Sequence, residues 1–191
     1  MTPDARRALE ILDLLDARRG HFLLESGHHG DLWLELDRLF VRPARLEPFA
    51  GELGRRLAGH GIEGVCGPLT GGAFMAQAVA VKLDLEFSWS ERSPAGYRIP
   101  EALRAGLDGK TVAIVDDVVN AASAARATLE QLRTCGARTV AIGALATLGT
   151  APEAFAQREG LALERLATLP NTLWEPSGCP MCAAGEPLSH S

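Results

Sequence analysis

The stretch TVAIVDDVVNAASAARATLEQL, residues 111–132, decides the fold class of this chain. An apolar run ends in two adjacent acidic residues, Asp116 and Asp117, and a short loop of small residues leads into a helical pattern. Near-continuous apolar runs are typical of parallel strands that are buried on both faces of a sheet. The stretch therefore predicts a buried strand, a tight loop and a helix, in that order.

Helical and extended patterns alternate along the rest of the chain. The spacing of apolar residues predicts helices at 3–19, 44–59, 72–83 and 123–134. Extended segments are predicted on both sides of residues 26–31 and at 62–66, 85–89 and 139–146. Residues 90–109 mix Pro, Gly and charge, which predicts a mobile loop with a helical turn near 100–105. The alternation predicts an α/β fold with a doubly wound, mainly parallel sheet, in which ligands bind beyond the carboxyl ends of the strands.

Length, composition and charge exclude several classes of protein. The 191 residues fit one domain, and 47% hydrophobic with 23% charged residues is a globular balance. The net charge is −5 without an extended basic run, so we expect no nucleic-acid partner. No apolar stretch approaches the roughly 20 residues of a membrane span, and the charged N-terminus does not resemble a signal peptide. Four cysteines without a disulfide framework complete the expectation of a cytoplasmic protein.

The loop after the acidic pair has the properties of an anion site. Backbone N–H groups at a helix N-terminus have no intrahelical partner, and the helix dipole favours negative charge there. Ionised carboxylates only accept hydrogen bonds, so Asp116 and Asp117 match a ligand that carries a diol, such as a ribose 5′-phosphate. A bound Mg²⁺ would offset the repulsion between the two carboxylates. Ser123 is a candidate cap for the helix.

Four segments resemble those of type I phosphoribosyltransferases, in the order of that family. VAIVDDVVNAASA, residues 112–124, resembles the family's motif for binding phosphoribosyl pyrophosphate. GHFLLESGHHGDLWLELDRLF, residues 20–40, is similar to the hood segment of orotate phosphoribosyltransferases. GVCGPLTGGAFMAQAVA, residues 64–80, is similar to the pyrophosphate-binding loop and the helix after it, and CPMCAAGEPL, residues 179–188, resembles the C-terminal ending of some members. The resemblance implies one domain with hood elements at about 1–42, a core at about 43–170 and a cysteine-containing tail at 171–191.

The resemblance also implies a role for each matching residue. Asp116 and Asp117 would hold the ribose hydroxyls, and Asp117 and Arg92 are the predicted catalytic residues, Arg92 at the start of the catalytic loop. The 5′-phosphate would be wrapped by Val118, Val119, Asn120, Ala121, Ala122, Ser123 and Ala124. The pyrophosphate would contact Leu69, Thr70, Gly71 and Gly72, and the hood would add Ser26, His28 and His29. Family members use Mg²⁺ with phosphoribosyl pyrophosphate and often close the catalytic loop across a homodimer.

Three positions depart from the family pattern. The phosphate loop usually carries Thr-Thr-Gly-Gly, whereas residues 120–123 are Asn-Ala-Ala-Ser. Glu25 stands where the hood has a basic residue, and the segment after Arg92 lacks the usual lysines, keeping only Arg98 and Arg104. Fewer cations therefore face a highly charged substrate, which counts against orotate, itself an anion, as the acceptor.

Cys179 and Cys182 form a CxxC pair in the tail. A structural zinc site needs about four ligands. A second pair could come from a partner chain, from His190, or from Cys66 and Cys135. The other interpretation is a tight turn with buried thiols. The pair is therefore a possible Zn²⁺ site.

Two hypotheses from different classes follow from these patterns. The first is a Mg²⁺-dependent homodimeric phosphoribosyltransferase that transfers ribose 5-phosphate to a pyrimidine or related base. The second is a binding protein that keeps the nucleotide pocket without turnover and acts as a regulator. The altered phosphate loop and the missing lysines favour the second hypothesis.

Overall fold

A computed structural model describes residues 3–24, 27–94 and 96–190. The strands are, in chain order, β1 (Arg18–Leu23), β2 (His29–Trp33), β3 (Gly64–Pro68), β4 (Glu86–Ser93), β5 (Gly96–Arg98), β6 (Thr111–Val119), β7 (Arg138–Leu148), β8 (Ala162–Leu169), β9 (Leu173–Trp174) and β10 (Ser189–His190). The α-helices are α1 (Pro3–Leu14), α2 (Pro43–Ala58), α3 (Gly71–Leu83), α4 (Glu101–Arg104), α5 (Ser123–Thr134), α6 (Ala151–Glu159) and α7 (Pro180–Ala183). Among the described residues, every helix is too short or too polar to span a lipid bilayer.

The central sheet has six strands in the order β5-β4-β3-β6-β7-β8. All neighbouring strands are parallel except β5, which pairs antiparallel with β4. From β3 the chain moves to β4 on one side, and from β6 it moves to β7 and β8 on the other. The strand order therefore reverses between β3 and β6, which is where a doubly wound sheet forms its ligand crevice.

Helices cover both faces of this sheet. Since successive side chains of a strand point in opposite directions, a buried strand contributes to the core on each face. In β6, Ala113 and Val115 join the core formed with helices α1, α2 and α3. Val112 and Ile114 point the other way and join the core formed with α5 and α6. The predicted doubly wound α/β fold is confirmed.

Two local predictions were wrong, and both errors concern the site. Strand β6 does not end before the acidic pair but continues to Val119, so both aspartates lie inside the strand. Residues 90–93 and 96–98 are strand residues and not part of a mobile loop, because β4 extends to Ser93 and pairs antiparallel with β5. The predicted helical turn near 100–105 is present as α4.

A second sheet of four strands joins the two ends of the chain. Its order is β10-β1-β2-β9, with β1 and β2 forming an antiparallel hairpin. Strand β9 pairs antiparallel with β2, and β10 pairs parallel with β1. Residues that the sequence assigned to a separate hood and tail therefore share one sheet. The pairing of these elements, like β8 and α6, was not predicted.

Candidate active site

The acidic pair is buried at the point where the strand order reverses. Asp116 and Asp117 are 8% and 6% exposed. The backbone N–H of Asp117 donates to Asp116 Oδ1 at 3.0 Å, and that of Val118 donates to Asp117 Oδ1 at 2.7 Å. Burial, followed by the charge of Asp117, raises the pKa of Asp116 well above its usual range, and burial raises the pKa of Asp117. No ion pair joins either carboxylate to a cation in the described part of the chain.

Two glycines at the start of α3 pack directly against these carboxylates. A Cβ atom added to Gly71 would lie 2.0 Å from Asp117 Oδ2, and one added to Gly72 would lie 2.5 Å from Asp116 Oδ1. Gly67 is equally constrained, because its Cβ would lie 2.2 Å from the carbonyl oxygen of Gly72. The GPLTGG segment therefore folds tightly over the acidic pair, and only glycine fits at these contacts.

The loop after the acidic pair leads into the N-terminus of α5. Ala122 precedes the helix with φ +58° and ψ +21°, the left-handed conformation that the corresponding glycine of the family pattern adopts at lower cost. The prediction that Ser123 caps the helix was wrong: the helix begins at Ser123, and no side-chain capping bond forms. The first helical N–H groups therefore have no intrahelical partner and remain free to donate to an anion.

Two adjacent cavities gather most of the predicted site residues. The first, about 450 Å³, is lined by Leu69, Thr70, Gly71, Gly72, Arg92, Tyr97 and the acidic pair. The second, about 520 Å³, is lined by Asp116, Val118, Val119, Asn120, Ala121, Ala122, Ser123 and Ala124 and by apolar residues of the hood. Leu36, Asp116 and Ala124 line both cavities. The geometry thus places an acidic pair between a glycine loop and a helix N-terminus.

Arg92 is the only cation among the residues that line these two cavities. It lies on β4 opposite Tyr97 of β5, and its guanidinium stands 5.8 Å from the centre of the Tyr97 ring. The other two arginines of this segment have partners elsewhere. Arg98 pairs with Glu91 at 2.6 Å, and Arg104 lies 3.4 Å from the carbonyl oxygen of Thr134.

The predicted hood contacts lie away from both cavities or outside the described residues. Ser26 and Glu25 lie outside the described residues. His28 Nε2 lies 3.0 Å from Glu175 Oε1. His29 is 6% exposed, and its ring packs against His21 with the ring centres 4.9 Å apart. Neither histidine lines the cavities around the acidic pair, so their substrate contact stays a prediction.

The tail cysteines meet these buried histidines. One ligand atom from each of His21, His29, Cys179 and Cys182 lies within 4.8 Å of all the others. Cys66 and Cys135 belong instead to the core beneath α5, and the side chain of His190 lies outside the described part. Sequence reasoning missed His21. No sequence signal pointed to it, because His29 was placed in the turn at residues 26–31, whereas the structure pairs Leu23 with His29 and His21 lies two residues before Leu23 on the same face.

The fold and the site together define a class, the type I phosphoribosyltransferases. A sequence model described as "Phosphoribosyl transferase domain" matches residues 55–154, and the chain belongs to this family. It is 30% identical to the orotate phosphoribosyltransferase of Caldanaerobacter subterraneus, over 97% of this chain and 95% of that protein. It is 31% identical to the same enzyme of Thermotoga maritima, over 93% of each chain.

Solved structures agree with the fold. The orotate phosphoribosyltransferase of Aeropyrum pernix superposes with a TM-score of 0.70 at 22% identity, over 85% of this chain and 93% of that chain. The structure of UMP synthase from Leishmania donovani gives the same TM-score at 22% identity, over 88% of this chain and 37% of that chain. The family resemblance that the sequence motifs predicted is therefore confirmed.

Proposed function

We propose that this protein transfers ribose 5-phosphate from phosphoribosyl pyrophosphate to a pyrimidine or related base and releases pyrophosphate. One observation carries the proposal: the glycine loop packs directly on the two buried carboxylates at the crevice of the sheet. The glycine loop is the expected pyrophosphate subsite and the two carboxylates are the expected ribose subsite, so the contact makes the two subsites adjacent. The curated relatives named orotate phosphoribosyltransferase support the same reaction.

The residues have distinct tasks in this reaction. The ribose hydroxyls donate to the carboxylates of Asp116 and Asp117, which can only accept when ionised. The N–H groups at the start of α5 donate to the 5′-phosphate, and Asn120 and Ser123 line the same cavity. Backbone groups of Leu69–Gly72 and the guanidinium of Arg92 face the pyrophosphate that leaves. Catalysis then rests on positioning and on charge neutralisation, without a nucleophile from the protein.

The donor set also fits Mg²⁺, the ion that the family resemblance implies. The carboxylates of Asp116 and Asp117 have no cationic partner in the described part of the chain and would supply hard oxygen ligands of the kind that Mg²⁺ prefers. A bound Mg²⁺ would neutralise charge on the pyrophosphate. The raised pKa of Asp116 and Asp117 follows from burial without such a charge.

The acceptor base is proposed to lie against the hood. Leu24, Leu32, Trp33 and Leu173 form an apolar wall of the second cavity, which suits a flat ring. Among the described residues, no Lys or Arg lines that cavity. A neutral pyrimidine is therefore a candidate acceptor as well as orotate, and both should be tested.

A pyrophosphate-release assay tests the proposal. Wild-type protein is supplied with phosphoribosyl pyrophosphate, Mg²⁺ and one base at a time, including orotate and uracil. Base-dependent release is the expected result. Arg92→Ala should lose most of it, whereas Arg98→Ala, a matched change on the same hairpin, should retain it because Arg98 pairs with Glu91.

The homodimer is part of the proposal. Phe74 and Val81 are 45% and 76% exposed, and their spacing of seven residues places them on one face of α3. An exposed apolar face beside the first cavity suits a second copy of the chain. Light scattering of the purified protein measures the mass directly. The cytoplasmic location stays a prediction that rests on the cysteine pattern.

A binding protein without turnover is the second candidate. It is favoured by the left-handed Ala122 in the phosphate loop and by the single cation at the two cavities. Tight binding of a nucleoside monophosphate without pyrophosphate release for any base would replace the enzyme proposal with this one.

A further inference from the structure

A cluster of four side chains outside the proposed active site can hold a metal ion. His21 and His29 lie on the β1–β2 hairpin, while Cys179 precedes α7 and Cys182 lies within it. Three of the four residues are buried. We propose that they form a structural Zn²⁺ site, which fastens the C-terminal segment to the hood hairpin.

Four of the six separations between the ligand atoms are close to those of a tetrahedron around zinc. Bonds of about 2.3 Å to sulfur and about 2.0–2.1 Å to nitrogen give edges of about 3.3 Å between two nitrogens and about 3.5 Å between nitrogen and sulfur. His21 Nε2 lies 3.0 Å from His29 Nδ1. The sulfur of Cys179 lies 3.4 Å from His21 Nε2, and that of Cys182 lies 3.7 Å from the same atom and 3.3 Å from His29 Nδ1.

A hydrogen bond from the tail orients one of the ligands. His21 Nδ1 lies 3.0 Å from the carbonyl oxygen of Glu186, which can only accept, so this nitrogen carries the proton. The lone pair of the neutral ring is then on Nε2, the atom on which both sulfurs and His29 converge. Zinc-binding histidines commonly donate their second N–H to a carbonyl in this way. Two thiolates and two imidazoles in a tetrahedron favour Zn²⁺ over harder ions.

The site would connect parts of the chain that are far apart in sequence. Strands β9 and β10 flank the hairpin, so the segment between them crosses the hairpin face that carries the histidines. Each of these edge strands has two residues and contributes few ladder hydrogen bonds. A metal bound by both segments supplies folding free energy that such short pairings lack.

The same clip supports the apolar wall of the second cavity. Gly30 pairs with Leu173, and a Cβ added to Gly30 would lie 3.0 Å from the Leu24 side chain and 3.5 Å from that of Leu173. Both leucines line the cavity proposed for the acceptor base. If the proposed function holds, zinc-free protein should therefore lose base-dependent turnover while it still binds phosphoribosyl pyrophosphate at the acidic pair.

Metal analysis of the purified full chain tests the site independently of activity. Wild-type protein from zinc-supplemented growth should contain close to one zinc per chain. His29→Gln and Cys182→Ser should lose it, whereas His28→Gln, which changes the adjacent histidine outside the cluster, should keep it. Wild-type protein without zinc, or zinc retained in His29→Gln, would overturn the proposal.

A second measurement covers the case in which a variant does not fold. Wild-type protein is treated with a thiol-alkylating reagent before and after chelation, and the modified cysteines are identified by mass spectrometry. Zinc should protect Cys182, which is exposed, and chelation should release it together with a lower melting temperature. Equal labelling of Cys182 in both samples, or a Cys179–Cys182 disulfide, would contradict the site. Unchanged turnover of folded, zinc-free protein would reject the coupling to the cavity wall.

Discussion

The acidic pair and the histidine–cysteine cluster gather reactive groups in opposite ways. Asp116 and Asp117 are adjacent in the sequence, are both acidic and are buried without a cation in the described structure. The four residues of the cluster come from both ends of the chain and converge on one point. The first arrangement opposes folding until a ligand binds, because buried charges without partners are unfavourable. The second can stabilise the fold once a metal binds. The proposed catalytic site and the proposed structural metal site thus differ in their effect on the stability of the ligand-free protein.

The largest expected effect comes from removing both charges of the acidic pair. Asp116→Asn with Asp117→Asn replaces two charge-assisted hydrogen bonds to the ribose, each worth about 1.5–3 kcal/mol. We expect binding of a nucleoside monophosphate with Mg²⁺ to weaken by about 3 kcal/mol or more, measured by calorimetry. Asp84→Asn, a change at an exposed helix end, is the control and should bind normally. Unchanged affinity in the folded double variant would remove the ribose assignment.

The next effect comes from displacing the carboxylates without changing their charge. The new Cβ in Gly71→Ala would lie 2.0 Å from Asp117 Oδ2, so the loop or the carboxylate must move. A displacement of about 1 Å at a positioning group costs roughly 100-fold in rate. Pyrophosphate release should fall accordingly. In Gly51→Ala, where the nearest atom to the new Cβ is Arg55 Nη1 at 3.8 Å, turnover should not change. Full activity of Gly71→Ala would show that the contact does not matter.

Stability should respond to the same double variant in the opposite direction from binding. The folded-state pKa of each aspartate is raised above its usual 3.8, so the folded state holds protons that the unfolded chain releases. The stability that the pair contributes is present in acid and is lost as the pH rises through the folded-state pKa. At pH 7 the free energy of unfolding of the double variant should therefore exceed that of the wild type by on the order of 1–3 kcal/mol.

Denaturant titrations of wild type and double variant between pH 4 and pH 7 measure this difference. The stability advantage of the variant should grow with pH, since only the wild type must ionise buried carboxylates. Taking the difference between the two proteins removes the contributions of other acids such as Glu47 and Glu159, whose pKa is lowered. A difference that does not depend on pH would mean that the pair is not buried as described.

The smallest expected effect concerns the phosphate loop. Ala122 has φ +58°, which glycine adopts without the steric cost of a Cβ. Ala122→Gly should raise the free energy of unfolding by roughly 0.5–1 kcal/mol and tighten phosphate binding modestly. Ala121→Gly is the matched comparison, because Ala121 is not among the residues with positive φ. It should destabilise the protein through added freedom of the unfolded chain. Equal effects of the two variants would contradict the strain at Ala122.

The local patterns predicted much of the core and many of the residues that line the two cavities. The helix at 123–134 was placed with its observed bounds, and the strands around it were placed to within a few residues. The phosphate loop and the glycine loop are each formed by consecutive residues, so both motifs could be recognised from the sequence. The end of β6 was placed too early because charged residues normally mark the end of a buried strand, whereas here two of them are buried within it.

Local spacing missed features that arise where distant segments meet. The segment after residue 90 carries turn-forming residues, but Glu91–Ser93 of β4 pair with Gly96–Arg98 of β5 as a hairpin. The hood motif did not indicate that His29 packs against His21 and Cys182, and its assignment to the substrate stays a prediction. Neither outcome could follow from local spacing, because each depends on what lies across the sheet.

The sequence by itself therefore determined the doubly wound fold, the phosphoribosyltransferase family and the order of the active-site loops. These features depend on contacts between neighbours in the chain and on the periodicity of buried strands. Only the tertiary structure brought His21 and His29 to Cys179 and Cys182, and only it packed Gly71 and Gly72 on the acidic pair. The physical reason is the same in both cases. A ligand cage or a contact of 2–3 Å is set by the register of strands and loops far apart in sequence, and a one-residue shift in register turns every side chain to the other face.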